Sequence, residues 1–389
     1  MNYKAGTKLY IKIAAACDWD APIGVSYSLK IKTTADNSWE QEENDSSSTA
    51  TVISSNQEKT GSLIYSLVKD DIDYYAYTVD RKGYFEVHFS KKDPTNEAEH
   101  GWTIVLYDQS GQEIDRYIGY KTVLTTQKYN FKPGTKVYVA VHPGWIYDIP
   151  GDIQYTIKIN QVARADWEVE TTEYEHESPW DARIKNVANL SAEKIYGSLW
   201  RSGDDDVYKL SAKKNGTITV EFNPQNVDSV LGRGYVIAVH NKKGKQVAEY
   251  INLTSAKSIK FNVKKGDYYV VVKGNNYEDP IGNVYSISAT SQTITVPSMK
   301  SKKITYKSSS DTLKWKKVKK IDGYEIQVCK NKKFKKKSTT VYTSEKRSYK
   351  LPWSLKSRTY YVRIRAYKDT VTGEKIYGKF TKVKKIKKK

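Results

Sequence analysis

Cysteine, methionine and long apolar runs are scarce in this chain. The scarcity of cysteine and of apolar runs argues against structural disulfides and transmembrane helices. The 389 residues contain two cysteines and two methionines. Because Cys17 and Cys329 are expected to fall in different domains, we expect two free thiols and no structural disulfide. No run of about 18 apolar residues occurs, so no transmembrane helix is predicted. The residues that follow Met1 also lack the apolar run of a secretory signal.

Signs of catalysis are missing as well. The sequence has no nucleophile elbow, no paired histidines at metal-ligand spacing and no phosphate-binding glycine loop. Four of its five histidines sit in strand-like or turn segments with no obvious Ser, Cys or Asp partner, so the ordinary structural role is favoured. We therefore predict that the chain is not an enzyme.

Tyrosine is the abundant residue, with 32 copies. Tyr, Val, Ile and Thr all favour strands, and a chain of this length is expected to form two to four domains of about 100 to 150 residues. The composition predicts an all-β, multidomain protein.

Positive charge is concentrated at one end of the chain. Residues 1–290 hold 34 Lys and Arg against 38 Asp and Glu, a net charge of −4, and residues 291–389 hold 31 against 6, a net charge of +25. The whole excess of +21 therefore belongs to the last quarter of the sequence.

An internal repeat organises the rest. Residues 3–31 match residues 131–159 without a gap at ten identical positions of 29, and a third copy runs over 263–289. Leu9, Ile11 and Ile13 alternate with polar residues, and 27–31 repeat the alternation, so each copy predicts two strands joined by a loop.

The opening halves of the copies also correspond, since Gly61-Ser62-Leu63 parallels Gly197-Ser198-Leu199. The repeat period is about 130 residues, a full domain. We predict repeats over 35–161 and 162–292, a different module over 296–389, and residues 1–34 as the closing half of a repeat whose opening half would lie upstream. A hairpin arm that packs on the next domain is the alternative for 1–34.

The two full repeats resemble the bacterial pre-peptidase C-terminal domain, a jelly-roll-like β-sandwich found beside secreted proteases and collagenases. The resemblance rests on residues 42–45, 61–63 and 70–75 and on the closing Pro-Gly-Thr and Tyr-x-Ile-x-Ile strands. It implies an accessory module of a secreted or cell-surface protein of a Gram-positive type bacterium.

Residues 296–389 resemble a lysine-rich fibronectin type III domain, an immunoglobulin-like sandwich. The resemblance rests on strands predicted at 313–315, 323–328 and 359–366. Tyr360, Val362, Ile364 and Ala366 form one apolar face of the last strand, and Trp315 is the expected buried indole.

Oxygen-bearing side chains recur at every second position of one acidic segment. On an extended chain, Glu40, Glu42 and Asn44 share one side, Asp45 follows, and Asp70 and Asp73 precede the next strand. Calcium takes six to eight oxygen ligands of this kind, so the spacing predicts a calcium site. A solvated acidic linker is the alternative.

The resemblance to collagenase collagen-binding domains implies the same ligands: Glu40, Glu42, Asn44, Asp45, Asp70 and Asp73, with Asp71 as a substitute. In the next repeat, we align residues 173–178 with this run, and Gly203 with Asp70. That alignment predicts a weakened or absent site there.

Two further surfaces are candidates for binding. Lysines in the last module provide a positive field that attracts a polyanion such as a cell-wall polymer, and the densest run holds Lys332, Lys333, Lys335, Lys336 and Lys337. No specific nucleic-acid motif accompanies them, and a merely solubilising surface is the alternative. Trp19 and Trp145 occupy equivalent loops and are candidates for contact with sugar or a collagen-like strand, against local packing as the alternative.

The sequence thus predicts a non-catalytic, calcium-stabilised binding region that positions an upstream enzyme on a polymeric or protein substrate, and also on the cell wall. The alternatives are a stand-alone carbohydrate- or matrix-binding adhesin and an inert spacer.

Overall fold

A computed structural model describes residues 3, 6–15, 22–64, 71–93, 100–145, 150, 153–170, 179–185, 187–201, 203–225, 234–275, 280–352, 354–355 and 359–387. Nearly every element in these ranges is a strand, so the predicted all-β fold class is confirmed. The chain divides into two compact units, Met1–Glu173 and Tyr174–Lys389.

The first unit contains nine described strands in two sheets. The strands are β1 (Thr51–Val52), β2 (Glu58–Gly61), β3 (Asp73–Thr78), β4 (Gly83–Lys91), β5 (Trp102–Asp108), β6 (Glu113–Tyr120), β7 (Val123–Thr125), β8 (Lys136–Pro143) and β9 (Tyr155–Ala163). One sheet has the order β1-β3-β8-β5-β6 and the other β2-β9-β4-β7.

Alternation explains why these strands form a sandwich. In β4, Phe85, Val87 and Phe89 are fully buried, while the residues between them are half-buried. The antiparallel partner β9 presents Ile157 and Ile159 to the same core. A period of two with one apolar face is what a half-buried antiparallel strand requires.

The second unit begins with a short helix, α1 (Trp180–Arg183), followed by nine strands. They are β10 (Ala188–Asn189), β11 (Ile195–Ser198), β12 (Asp205–Ala212), β13 (Gly216–Pro224), β14 (Tyr235–Asn241), β15 (Gln246–Leu253), β16 (Lys257–Val263), β17 (Gly266–Gly274) and β18 (Val284–Thr293). Their sheet orders are β10-β12-β17-β14-β15 and β11-β18-β13-β16.

These orders repeat those of the first unit strand for strand. A buried tyrosine pair repeats with them, because the hydroxyls of Tyr75 and Tyr155 lie 2.8 Å apart and those of Tyr208 and Tyr285 lie 2.6 Å apart. The internal repeat therefore appears as a repeat of topology. The boundaries 35–161 and 162–292 remain predictions.

The last eight strands of the second unit form the module expected over 296–389. They are β19 (Ile304–Lys307), β20 (Thr312–Trp315), β21 (Gly323–Cys329), β22 (Thr339–Ser344), β23 (Ser348–Lys350), β24 (Thr359–Asp369), β25 (Lys375–Tyr377) and β26 (Lys384–Lys387). The sheets are β19-β20-β23 and β22-β21-β24-β25, and β26 pairs with β24. Two such sheets, of three and five strands, form an immunoglobulin-like sandwich.

The core of this module contains the residues predicted for it. Val362, Ile364 and Ala366 of β24 are fully buried and Tyr360 is nearly so. Trp315 is buried against Tyr324, with their ring centroids 5.2 Å apart. Cys329 is a buried free thiol, whereas Cys17 lies outside the described residues.

The turn between β24 and β25 packs on the preceding sandwich of the second unit. Val371 contacts the apolar core of that sandwich, and its N–H donates to the Asn262 carbonyl at 2.7 Å. The Asn262 side chain donates in return to the Asp369 carbonyl at 3.0 Å. We call these contacts the module joint.

The strand prediction for residues 9–13 and 27–31 is wrong for the structure as described. No strand is assigned over 6–15 or 22–36. Ile11 is 54% exposed and Leu29 is 56% exposed. The equivalent residues of the next copy, Val139 and Ile157, are fully buried in β8 and β9.

Among the described residues no helix is long and apolar enough to cross a bilayer.

Candidate metal centre

The acidic segment predicted from the sequence runs beside β2 in the first unit. The Glu40 N–H donates to the Thr60 carbonyl at 2.9 Å, and the Thr60 N–H donates to the Ser38 carbonyl at 2.7 Å. At the far end, the Tyr74 N–H donates to the Asn44 carbonyl at 2.9 Å. The segment is therefore held between β2 and the start of β3.

Its side chains alternate in exposure. Glu40, Glu42 and Asn44 are buried, with exposures of 0%, 4% and 0%, while Gln41 and Glu43 between them are exposed. Three oxygen-bearing side chains thus enter the protein from one side of an extended segment.

Glu40 is held by three hydrogen bonds. Its Oε1 accepts from the Ser62 N–H at 2.8 Å. Its Oε2 accepts from the hydroxyls of Tyr75 at 2.6 Å and Tyr155 at 3.1 Å. The buried tyrosine pair therefore fixes this carboxylate in place.

Asp73 is the second fully buried carboxylate, at the start of β3. Its Oδ2 also accepts a hydrogen bond from Tyr155. Gly61 leaves the space these groups need, because a Cβ at that position would collide with the Tyr155 hydroxyl and with Oε2 of Glu40. This close approach explains the glycine in the repeated Gly-Ser-Leu sequence.

Glu42 and Asn44 bring further oxygens to the same place. One carboxylate oxygen from each of Glu40, Glu42 and Asp73 lies within 4.8 Å of the others. The amide oxygen of Asn44 is 3.0 Å from Oε2 of Glu42 and 3.3 Å from Oδ1 of Asp73, and Oε1 of Glu42 is buried without a donor. Rotating the amide would let its nitrogen donate to both carboxylates, whereas a bound cation favours the oxygen-inward orientation.

Asp71 and Asp45 complete the acidic cluster. Asp71 is 7% exposed, its Oδ2 accepts from the Ile64 N–H, and its side chain also contacts that of half-buried Asp45. Asp70, predicted as a ligand, lies outside the described residues. Asp71, which the sequence offered as a substitute, is the described aspartate next to the cluster.

Burial raises the pKa of four carboxyl groups at the centre, those of Glu40, Glu42, Asp71 and Asp73. Burial, with Glu40 and Asp71 nearby, raises the pKa of Glu42 to about 8. Burial also raises the pKa of Asp71 to about 7, although the Ile64 N–H opposes the rise. The pKa values of Glu40 and Asp73 are raised, chiefly by burial.

A divalent cation fits this arrangement. Within the described residues, Glu40, Glu42, Asp71 and Asp73 form no ion pair with a lysine or arginine. Buried charges without a counter-charge are costly, and a hard cation is the partner that carboxylate and amide oxygens suit. Glu40, Glu42, Asn44 and Asp73 would hold such an ion, with Asp45 and Asp71 beside them.

Sequence reasoning missed the counterpart of this segment in the next repeat, and the alignment of 173–178 with it is wrong. Trp167-Glu168-x-Glu170 repeats Trp39-Glu40-x-Glu42 at the offset of 128 that relates residue 3 to 131. The structure supports this offset, since Tyr3 bridges to Glu42 as Phe131 bridges to Glu170. Glu168 and Glu170 are buried, at 7% and 5% exposure.

The other predicted binding residues lie apart from the cluster in sequence. Trp145 is 51% exposed and packs edge-on against His100, with ring centroids 4.6 Å apart. Trp19 lies outside the described residues. The five lysines between 332 and 337 are exposed on the loop between β21 and β22.

Comparisons with known proteins give fold likeness only. No protein-family model matches the chain, and no curated protein sequence matches it. A pre-peptidase C-terminal domain of collagenase from Bacillus anthracis is 21% identical over 28% of this chain and 98% of that one, with a TM-score of 0.23. Two fibronectin type III domains of chicken tenascin are 17% identical over 47% of this chain and 98% of that one, with a TM-score of 0.19.

Tandem CBM51 modules from a family 98 glycoside hydrolase of Streptococcus pneumoniae are 10% identical over 60% of this chain and 88% of that one, with a TM-score of 0.19.

Proposed function

We propose that this chain is a calcium-stabilised, non-catalytic binding region of a secreted or cell-surface protein. In this role it holds a catalytic domain of the same protein near a polymeric or proteinaceous substrate. The observation that carries the calcium part is the buried cluster of Glu40, Glu42, Asn44 and Asp73, which brings oxygens together with no lysine or arginine of the described residues paired to them.

The residues of the cluster have different roles. Tyr75 and Tyr155 orient Glu40 and Asp73 by donating hydrogen bonds to them. Glu42 and Asn44 come from the segment before β1 and carry that segment's attachment to the sandwich. A bound calcium ion would supply the positive charge that makes their joint burial favourable, and would thereby stiffen the chain that enters the first sandwich.

Thermal unfolding with calcium and with a chelator tests the metal. We expect added calcium to stabilise the first unit, by about 2.7 kcal/mol when the ion is at a hundred times its dissociation constant. Glu42→Gln removes a charged ligand and should abolish most of that response.

Glu58→Gln is the matched control, because it makes the same change on an exposed side chain of β2 in the same unit. It should keep the full calcium response. An unfolding temperature that calcium leaves unchanged in the parent protein would remove the metal from the proposal.

An adhesin is the second candidate, and the half-exposed indole of Trp145 favours it. Retention on collagen or an insoluble polysaccharide that survives high salt and is lost in Trp145→Ala would support the adhesin. Absence of any retention would leave the inert spacer.

A further inference from the structure

The outer face of the five-stranded sheet in the last module presents two arginines side by side. Val362, Ile364 and Ala366 of β24 point into the core, so Arg363 and Arg365 point outward between them. Across the sheet they are in register with Gln327 and Glu325 of β21.

The two arginines differ in their partners. Arg365 donates to both carboxylate oxygens of buried Glu325, at 2.9 Å and 3.1 Å. Arg363 donates through Nε to the Gln327 side-chain oxygen at 2.7 Å, and in the described part of the chain no carboxylate forms an ion pair with it. Arg363 therefore lacks the direct carboxylate partner that Arg365 has, and Glu325 acts on its charge only from a distance.

Aromatic rings hold the Arg363 guanidinium in one orientation. It lies 4.3 Å from the ring centroid of Phe334 and 4.0 Å from that of Phe380. Such stacking fixes a planar guanidinium whose terminal N–H groups suit two oxygens of one anion.

Phe334 also organises the lysine-rich loop. Its side chain is 8% exposed, and Lys332, Lys333, Lys335, Lys336 and Lys337 around it are exposed. The loop is fixed by its backbone, because the Lys333 N–H donates to the Asn331 side chain at 2.9 Å and the Lys335 carbonyl accepts from the Ser338 N–H at 3.0 Å. Little ordering is then needed when a ligand binds.

Strand β26 extends the positive surface. Lys385 pairs with Tyr361 of β24 and is exposed, while its neighbour Ile386 is buried in the core. We define the basic face as Arg363, Lys385 and the five loop lysines.

We propose that the basic face binds a linear phosphodiester polymer that carries no bases, of the kind that a polyol phosphate chain provides. Its cations recognise phosphate oxygens, and the nearby rings of Phe334 and Phe380 are already stacked on Arg363, so they offer no platform for bases. This inference deepens the cell-surface part of the proposed function and rests on it for the choice of polymer, but not on the calcium site.

Affinity for poly(glycerol phosphate) of defined length, measured on the full chain over a series of salt concentrations, tests the proposal. The triple variant Lys333→Gln, Lys335→Gln, Lys336→Gln should weaken binding roughly tenfold or more at ~0.1 M salt. It should also reduce the slope of log affinity against log salt by about 2, since each lost contact contributes ~0.7.

The matched control removes three lysines from strands of the opposite sheet: Lys307→Gln, Lys314→Gln and Lys350→Gln. All three side chains are exposed, and the change in net charge is the same. We expect affinity and slope close to those of the parent. Equal loss in both triple variants, or no binding by the parent, would overturn the proposal.

Arg363→Lys keeps the charge but removes the planar guanidinium that is stacked on the two phenylalanine rings. We therefore expect severalfold weaker binding with an unchanged salt slope. Its unfolding temperature verifies that the module remains folded.

If an oligothymidylate with the same number of phosphates binds more tightly than the polyol phosphate, bases contribute and a nucleic-acid surface replaces our proposal. The calcium response of the same proteins is measured separately, so the calcium site and the polymer-binding face can each be rejected without the other.

Discussion

Glu42 is the residue on which the metal hypothesis depends most directly. Its buried Oε1 has no donor among the described residues, and its Oε2 lies 3.0 Å from the side-chain amide of Asn44, which either donates to it or turns its oxygen toward a cation. A protein without a bound ion must protonate this carboxyl group or tolerate its charge, and its pKa of about 8 records that conflict.

The raised pKa values predict how stability varies with pH. Unfolded Glu and Asp titrate near pH 4, but Glu42 and Asp71 titrate near 8 and 7 in the folded, metal-free protein, so the folded state binds more protons between these limits. Stability in chelator should therefore fall as the pH rises from about 5 to 8, with each group contributing at most about 1.4 kcal/mol per pH unit. Urea unfolding at several pH values measures this.

Calcium should reverse the trend, because the ion binds the deprotonated ligands. Glu42→Gln should show a weaker fall in chelator, since one of the carboxyl groups with a raised pKa is gone. A parent protein whose stability in chelator rises over this pH range would contradict the assigned burial.

Part of the site was predictable at the residue scale. The alternation of Glu40, Glu42 and Asn44 is visible in the sequence because an extended segment has a period of two. The tyrosines that orient the carboxylates were not predictable, since Tyr155 reaches Glu40 across 115 positions of sequence. Glu168 and Glu170 are marked in the sequence by Trp167, the counterpart of Trp39, whereas the density of acidic residues points to 173–178 instead.

At the scale of elements, equivalent segments of the repeat have opposite surroundings. Residues 8–13 carry the same alternation as β8, yet Ile11 is 54% exposed where Val139 is fully buried between β3 and β5. Pattern predicts which face of a strand is apolar, but a strand forms only when partners supply hydrogen bonds and cover that face. This is why the first copy of the pattern was predicted as strands and the described residues show none.

Serine substitution at the two equivalent positions measures the difference. Val139→Ser places a hydroxyl in a packed core and should lower the free energy of unfolding by about 2–4 kcal/mol. Ile11→Ser should change it by less than about 0.5 kcal/mol, as exposed substitutions usually do. Chemical denaturation of each variant gives both values.

The pair is its own control, because both positions come from one aligned repeat. A loss for Ile11→Ser as large as that for Val139→Ser would mean that residues 6–15 are covered in solution by strands or by another molecule.

In the last module, the alternation of apolar and polar residues was sufficient to predict the central strands. The predicted segments 313–315, 323–328 and 359–366 occur within β20, β21 and β24. The stack of Phe334, Arg363 and Phe380 was not predictable, because it joins a loop, a strand and a segment between strands that only the fold brings together.

At the scale of the whole molecule, the repeat of strand order and the division of charge are the main features. Fold class followed from composition and periodicity. The module joint in the second unit was not predictable, because the eight strands β17 to β24 lie between Asn262 and Val371 in the sequence.

The joint predicts coupled unfolding of the two sandwiches in the second unit. Val371→Asp puts a charge into an apolar contact and should separate their transitions in a calorimetric scan, at a cost of about 1–3 kcal/mol. The neighbouring Glu374→Gln breaks only the exposed pair with Lys264, 3.2 Å apart, and should leave the scan unchanged. Independent transitions in the parent would show that the joint does not couple them.

The buried carboxylates also bear on when the protein becomes rigid. Where free calcium is scarce, mutual repulsion among these acids would oppose closing the start of the first sandwich. Where calcium is plentiful, the ion proposed above would hold the same acids together. A protein with this property would remain flexible at low calcium, for example during export through a narrow channel, and would become rigid once calcium binds.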